Sequence, residues 1–203
     1  MFMSDMSLNE NLSSTPQDRR ELMDLVERMQ GAFTTIAKSK IPTIALAHGF
    51  CIGGATSLVS ACDIRLATKD AKFSIGETKL GLVADVGVIQ RMPKIVSSGD
   101  MNELALTGRI FDGEHAEKIR FVSKVYENSD DLFEAGEKLA NEISSNSKRI
   151  VQATKEALEK SSNLTVDQGL EYAKLWSTSF LVSEDLREGV MAFLEKRDPK
   201  FNE

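Results

Sequence analysis

The chain has little of what several classes of protein require. Its 203 residues include two cysteines and two histidines. Cys51 and Cys62 have neither C-x-x-C spacing nor a histidine partner, which predicts reduced, buried thiols, no disulfide scaffold and no metal site. The net charge is −6 and no Lys/Arg-rich run occurs, which argues against nucleic acid as a partner. No apolar run is long enough to span a bilayer.

The chain also lacks a recognisable targeting signal. Its first residues have no basic start followed by a long apolar core, they are not Arg-rich, and the last four residues, 200–203, are not of the Ser-Lys-Leu type. The compartment therefore cannot be read from these segments. There is no internal repeat, low-complexity tract or long linker, so the length predicts one domain, or one domain with an appendage.

The most informative segment that is present is a glycine-rich turn between a strand pattern and a helix pattern. Residues 48–55 read His-Gly-Phe-Cys-Ile-Gly-Gly-Ala, between an apolar run at 43–47 and a helix expected near 54–61. A Gly-Gly turn that opens a helix presents backbone N–H groups to a ligand, and glycine lets the ligand approach closely. Two spaced carboxylates, Glu77 and Asp85, follow. An oxyanion beside two carboxylates is suited to moving protons next to a carbonyl.

The order of elements predicts an α/β fold with parallel strands and crossover helices. Thr15 and Pro16 mark the start of the first helix. Short strands are expected at 43–47, 63–67, 72–75 and 122–126. The second half is mostly helical, with a helix at 100–108 closed by glycine and three or four amphipathic helices between 130 and about 197.

Several motifs together resemble the crotonase (enoyl-CoA hydratase/isomerase) superfamily. They are Ile-Ala-Leu-Ala-His-Gly-Phe-Cys-Ile-Gly-Gly-Ala at 44–55, Ala-Cys-Asp-Ile-Arg at 61–65, Gly-Leu-Val-Ala-Asp-Val-Gly-Val-Ile-Gln-Arg-Met-Pro-Lys at 81–94, Leu-Thr-Gly-Arg at 106–109 and Val-Ser-Lys-Val at 122–125. Each motif alone is weak, whereas the set is specific. Within the superfamily, Ala-Asp-Val-Gly with Gln-Arg-Met-Pro-Lys is most similar to the Δ3,5-Δ2,4-dienoyl-CoA isomerases.

The resemblance implies a core of ββα spiral turns and a C-terminal helical region. The spiral core would occupy residues 1–126, and residues 127–203 would form a helical region that covers acyl-CoA and makes oligomer contacts. The family's first spiral strands would precede this chain. The resemblance further implies an acyl-CoA thioester substrate, no separate cofactor because CoA is part of the substrate, a homotrimer or hexamer, and a mitochondrial or peroxisomal location.

The resemblance also implies the site residues. The N–H groups of Gly54 and, in a loop matched by 2–8, of Ser4 would hold the thioester oxygen. Asp85 would remove the proton from C2 and Glu77 would protonate the distal carbon, so that one acid is ionised while the other is protonated. The remaining matched positions are expected to contact substrate: Gly53, Ala55, Ser57, Phe193 and Lys196.

Other interpretations remain open. Hydratases of this family use two glutamates, of which the second aligns with Glu77 and the first falls at Ser57, so simple hydration is disfavoured. An enoyl-CoA hydratase-like protein is one alternative, and a Δ3-Δ2-enoyl-CoA isomerase, which would need only Glu77, is another. An inactive crotonase-fold protein would bind acyl-CoA or another subunit. Asp85 is also a candidate cap for a helix beginning near Val86. Arg120 stands where the family usually has glycine.

Overall fold

Residues 15–201 are described in a computed structural model of the chain. Contacts divide these residues into two units, one that includes 15–39 and 43–133 and one that includes 40–42 and 134–201. The expectation for Ser4 falls outside the described residues. The functional division predicted at 126/127 stays a prediction.

The first unit begins with a capped helix. Thr15 accepts a hydrogen bond from the backbone N–H of Asp18, and the Asp18 carboxylate accepts one from the N–H of Thr15. This capping box and the proline that follows it explain why the first helix starts where the sequence predicts. The helices of this unit are α1 (Pro16–Ala37), α2 (Gly54–Ala61), α3 (Val88–Arg91), α4 (Ser98–Thr107) and α5 (Gly113–Lys118).

Between residues 15 and 201, six short strands form two sheets. They are β1 (Ile44–Ala47), β2 (Phe50–Ile52), β3 (Ile64–Thr68), β4 (Lys72–Ser74), β5 (Phe111–Asp112) and β6 (Lys124–Tyr126). The first sheet has the order β1-β3-β6 and is parallel throughout, with Ile44 opposite Ile64 and Leu66 opposite Lys124. The second has the order β2-β4-β5, in which β2 and β4 are parallel and β5 is antiparallel to β4. The expectation of parallel strands is therefore correct for all pairs except β4–β5.

Strand β2 departs from the sequence prediction, which treated residues 48–55 as one turn. Cys51 is buried while Phe50 and Ile52 are exposed, so the segment has the alternation of a half-buried strand. The turn proper is confined to the residues around Gly53. Three residues are too few for this alternation to be recognised in the sequence.

Aromatic rings form the centre of the first unit's core. Phe73 stacks on Phe111 and meets Phe121 edge-on, both at 5.5 Å between ring centroids. Phe73 and Phe121 are fully buried, and burying aromatic side chains is a large source of stabilisation. A second, smaller cluster consists of Phe33, Ala61 and Val86.

The second unit is helical. Its elements are the later part of α6 (Ser129–Ser144), α7 (Lys148–Ser161), α8 (Val166–Phe180) and α9 (Glu184–Glu195). The hydroxyl of Ser147, the residue that caps α7, donates to Asp185 at 2.6 Å, and Tyr172 on α8 donates to Glu156 on α7 at 2.9 Å. These four helices agree with the three or four predicted from the sequence. No helix in residues 15–201 is both long and apolar enough to cross a membrane.

Candidate active site

The turn between β2 and α2 is shaped by Gly53. This residue has φ 58° and ψ −116°, a conformation that is essentially restricted to glycine. Its N–H donates to the carbonyl of Ser74 at 2.9 Å, and the first intrahelical bond runs from the N–H of Ser57 to the carbonyl of Gly53 at 3.0 Å. The N–H groups of Gly54 and Ala55 precede that bond. They therefore belong to the free, electropositive end of the helix.

A buried threonine holds this turn in place. Thr56 is fully buried, and its hydroxyl lies within hydrogen-bond distance of two carbonyl oxygens, those of Cys51 and, at 3.0 Å, of Ser74. The hydroxyl of Ser74 in turn donates to the carbonyl of Gly108 at 3.0 Å. The sequence analysis did not identify Thr56 or Ser74. One feature of the sequence could have identified Thr56. The residue at the N-cap of α2 is glycine, which has no side chain to cap the helix, and the hydroxyl of Thr56 follows in the first turn.

Glu77 lies beside this turn. It belongs to a 3-10 turn, Gly76–Leu80, which is attached to α4 by a 2.7 Å bond from the hydroxyl of Thr78 to the carbonyl of Ala105. A Cβ added to Gly53 would lie 3.4 Å from Oε1 of Glu77. Oε2 is buried and has no hydrogen-bond partner. A buried carboxylate oxygen without a partner is unfavourable for folding and common at functional sites.

Asp85 lies in the segment that follows. Its side chain is exposed, whereas its neighbours Ala84 and Val86 are buried. The interpretation of Asp85 as a helix cap is wrong. Helix α3 begins at Val88 with Gly87 as its N-cap, at φ 114° and without a side-chain cap bond. The backbone has a positive φ at the N-cap of α3, which glycine adopts without strain. The carboxylate of Asp85 therefore does not cap this helix.

The other predicted site residues differ in their surroundings. Ser57 is fully buried and its Oγ has no hydrogen-bond partner, while Ala55 is half-buried. Phe193 and Lys196 belong to the second unit; Phe193 is 82% exposed, and Lys196 ends α9 in the left-handed conformation at φ 55°. The roles assigned to these residues, and to Ser4, stay predictions.

The remaining motif residues are explained by structure. Arg65 is half-buried and donates to the carbonyls of Phe121 at 2.7 Å and Cys62 at 2.6 Å, and burial lowers the pKa of its guanidinium. Cys51 and Cys62 are reduced thiols, buried and partly buried respectively. Burial raises the pKa of Cys51, so that thiol is poorly reactive. Within residues 15–201, no group of three or more His, Cys, Asp or Glu side chains is arranged to hold a metal ion.

Comparison with known proteins gives consistent matches. The family model described as enoyl-CoA hydratase/isomerase matches residues 2–203. A protein of Dictyostelium discoideum named mitochondrial Δ(3,5)-Δ(2,4)-dienoyl-CoA isomerase is 47% identical over 188 residues, which cover 93% of this chain and 64% of that protein. A peroxisomal protein of the same enzyme name from Arabidopsis thaliana is 42% identical over 193 residues, covering 93% of this chain and 69% of that protein.

The fold is matched among solved structures. The crystal structure of an enoyl-CoA hydratase from Bacillus anthracis has a TM-score of 0.84 at 28% sequence identity, covering 96% of this chain and 74% of that one. This is the expected α/β fold of the family. The chain spans slightly less than two thirds of the length of the Dictyostelium relative, at 64%.

Proposed function

The chain belongs to the enoyl-CoA hydratase/isomerase family, and from that premise we propose that it converts a 3,5-dienoyl-CoA into the conjugated 2,4-dienoyl-CoA. The observation that carries the proposal is the pairing of Glu77 with the α2 turn. A carboxylate with one buried, unpartnered oxygen lies against Gly53, and the next residue, Gly54, offers its N–H at the start of the helix. The names of the Dictyostelium and Arabidopsis relatives support the same reaction.

The reaction is a proton transfer along a conjugated system. Asp85, as carboxylate, removes one proton from C2, and the electron pair delocalises over the diene onto the thioester oxygen. The N–H of Gly54 donates to that oxygen, with the α2 dipole favouring its negative charge. Glu77, as the acid, returns a proton to C6, which leaves double bonds at C2 and C4. No atom is gained or lost by the substrate, because one carboxyl accepts a proton and the other supplies one.

This assignment requires the two carboxyl groups to differ in protonation. The surroundings of the two residues differ. One oxygen of Glu77 is buried and has no hydrogen-bond partner, whereas the side chain of Asp85 is exposed to solvent.

Hydration is the less suitable reaction for this set of residues. The position at which hydratases of this family carry the first of their two glutamates is Ser57, which is fully buried. A serine hydroxyl is not a general base at neutral pH without an adjacent base to activate it. Glu77 and Asp85 are thus the acids available for catalysis in the proposed site.

We further propose a homotrimer or hexamer as the assembled form, on the family resemblance. The two relatives named above carry the words mitochondrial and peroxisomal in their names. One of these compartments is therefore proposed for this chain as well.

The test is a spectroscopic assay of the purified protein with a 3,5-dienoyl-CoA, following the conjugated product. Glu77→Gln and Asp85→Asn should each lower kcat by about 10²–10⁴-fold, the usual contribution of a positioned acid or base. Asp24→Asn is the matched control, because Asp24 is an exposed carboxylate on α1, and it should leave turnover unchanged. A folded protein that binds acyl-CoA but converts none of it refutes the isomerase and supports the acyl-CoA-binding alternative.

A second candidate is a Δ3-Δ2-enoyl-CoA isomerase that uses a single acid. The observation in its favour is that Glu77 alone packs against the α2 turn, whereas Asp85 is exposed. The same variants separate the two reactions. A protein that converts a 3-enoyl-CoA at full rate as Asp85→Asn, and loses that activity as Glu77→Gln, is the single-acid enzyme.

A further inference from the structure

Two consecutive backbone carbonyls, at the position of the proposed base, accept hydrogen bonds from side chains. Nε2 of Gln30, on α1, donates to the carbonyl of Asp85 at 2.6 Å. Nη1 of Arg91, on α3, donates to the carbonyl of Val86 at 3.3 Å. Side-chain donors of this kind satisfy carbonyls that lie outside regular secondary structure. They also fix the direction of the peptide planes on which they act.

Arg91 is itself held between two elements. Its Nη2 donates to the hydroxyl of Thr34 on α1 at 3.1 Å. Its Nη1 would be 1.9 Å from a Cβ placed on Gly87, so the guanidinium fits there only because residue 87 has no side chain. The bonds of Arg91 therefore join α1 to the segment at 82–87.

Apolar packing also holds the segment at 82–87 against α1 and α2. Val86 is buried in the small cluster with Phe33 of α1 and Ala61 of α2. Gln30, Phe33 and Thr34 are spaced i, i+3 and i+4 and thus share one face of α1. That face contributes a hydrogen bond to residue 85, apolar contact to residue 86 and a hydrogen bond to Arg91. Within this segment the side chain of Asp85 is exposed, as are those of Leu82 and Val83.

We propose that Gln30 is a positioning residue for Asp85, and that the α1 face formed by Gln30, Phe33 and Thr34 acts with Arg91 as a clamp on the segment at 82–87. The proposal rests on the proposed function, in which Asp85 removes a proton from the substrate. Proton transfer is sensitive to displacements of well under an ångström. A carboxylate on an irregular segment lacks that precision unless its backbone is held, and the clamp holds it at two successive peptide groups.

The test compares Gln30→Met with Gln17→Met. Methionine preserves the length of the side chain and removes the donor. Gln17 is on the same helix and donates to Glu21 at 3.0 Å, so its replacement removes a side-chain hydrogen bond that does not reach the clamp. Gln30→Met should lower kcat for the 3,5-dienoyl-CoA by about 2- to 10-fold, which corresponds to one hydrogen bond, with KM changed less than twofold. Gln17→Met should match the wild type.

Two further readouts separate positioning from a general loss of structure. The isotope effect on kcat with substrate deuterated at C2 should increase in Gln30→Met, because proton removal becomes a larger part of the rate limitation. Amide hydrogen exchange within residues 84–88 should become faster while amides of β1 and β3 keep their protection.

The outcomes are distinct. Unchanged kcat and unchanged exchange at residues 84–88 overturn the clamp. Faster exchange with unchanged kcat and isotope effect shows that Gln30 holds the segment without serving Asp85, which also overturns the inference. A wild-type protein without isomerase activity refutes the proposed function and the role of Gln30 in positioning a base, and in that case the exchange data still decide whether the segment is held as described.

Discussion

Two adjacent glycines, Gly53 and Gly54, provide a sharp test of how the site is built. Both open α2 and both would accept alanine with the same small change in volume. Gly53 has φ 58° and ψ −116°, and its added Cβ would lie 3.4 Å from Oε1 of Glu77. Gly54 has no positive φ, and its added Cβ would meet nothing within 4 Å. We expect Gly53→Ala to damage the fold and Gly54→Ala to damage only the activity.

The magnitudes follow from these environments. A non-glycine residue in the conformation of Gly53 is strained by about 1–3 kcal/mol, of which about 0.4–1 kcal/mol is offset by the smaller entropy of the unfolded chain. Gly53→Ala should therefore lower the free energy of unfolding by about 1–2 kcal/mol. Alanine at Gly54 adds helix propensity of up to about 1 kcal/mol and should leave stability unchanged or raise it.

Activity should fall in both variants for different reasons. In Gly53→Ala the backbone must rotate to relieve the strain, which misdirects the N–H of Gly54, and loss of one oxyanion donor lowers kcat by about 10²–10³-fold. In Gly54→Ala the N–H is retained. The new methyl group instead stands in the open space that the thioester would enter, so kcat/KM should fall while the fold is preserved.

The assays are urea unfolding at equilibrium and steady-state turnover of a 3,5-dienoyl-CoA. Stability of Gly53→Ala equal to that of the wild type would refute the argument from φ and from the Glu77 contact. Full kcat/KM in a stable Gly54→Ala would show that substrate does not approach that residue, and the oxyanion donor would have to be sought elsewhere. The site as described is supported if Gly53→Ala is less stable than the wild type, Gly54→Ala is at least as stable, and both variants lose activity.

Three further outcomes are expected. Thr56→Val should lower the free energy of unfolding by about 1–3 kcal/mol, because a buried hydroxyl donor is lost beside the carbonyls of Cys51 and Ser74. Thr35→Val, which removes an exposed hydrogen bond on the surface of α1, should change it by less than about 0.5 kcal/mol; urea titrations measure both. Arg120→Gly should raise the free energy of unfolding by about 0.5–1 kcal/mol in the same assay, since Arg120 has φ 65° and glycine adopts that conformation without strain. Contacts with Arg197 lower the pKa of Glu188 to about 2 from 4.5, so the stabilisation from this pair should be complete above about pH 4.5 and decline as the pH falls towards 2; carboxyl NMR titration measures it, and Arg197→Met should return the pKa of Glu188 towards its ordinary value.

The backbone of the site was predictable from local sequence, while its supports were not. An apolar run, a Gly-Gly pair and a short helix pattern are contiguous, and strand β1 and helix α2 lie where that pattern predicts. Gln30 and Asp85, by contrast, are 55 positions apart, and nothing in the residues around Gln30 indicates its acceptor. The partner of Thr56 at Ser74 is 18 positions away. Such long-range hydrogen bonds depend on tertiary packing that periodicity and propensity do not encode.

Among residues 15–201, the buried side-chain oxygens without a partner are Oγ of Ser57, Oγ1 of Thr68 and Oε2 of Glu77. Two of these three belong to residues that the sequence assigned to the site, on α2 and on the 3-10 turn beside it. An acidic residue in place of Ser57 would be fully desolvated, at a position where even the serine hydroxyl has no hydrogen-bond partner. Desolvation of an unpaired ion is strongly unfavourable. Serine at this position places no charge in the interior. In the proposed isomerase the acid and base are therefore Glu77, whose Oε1 lies near Gly53 at the start of α2, and Asp85, which is exposed to solvent. Unsatisfied polar atoms in an otherwise well-bonded core thus identify the same turn that the glycine pattern identifies.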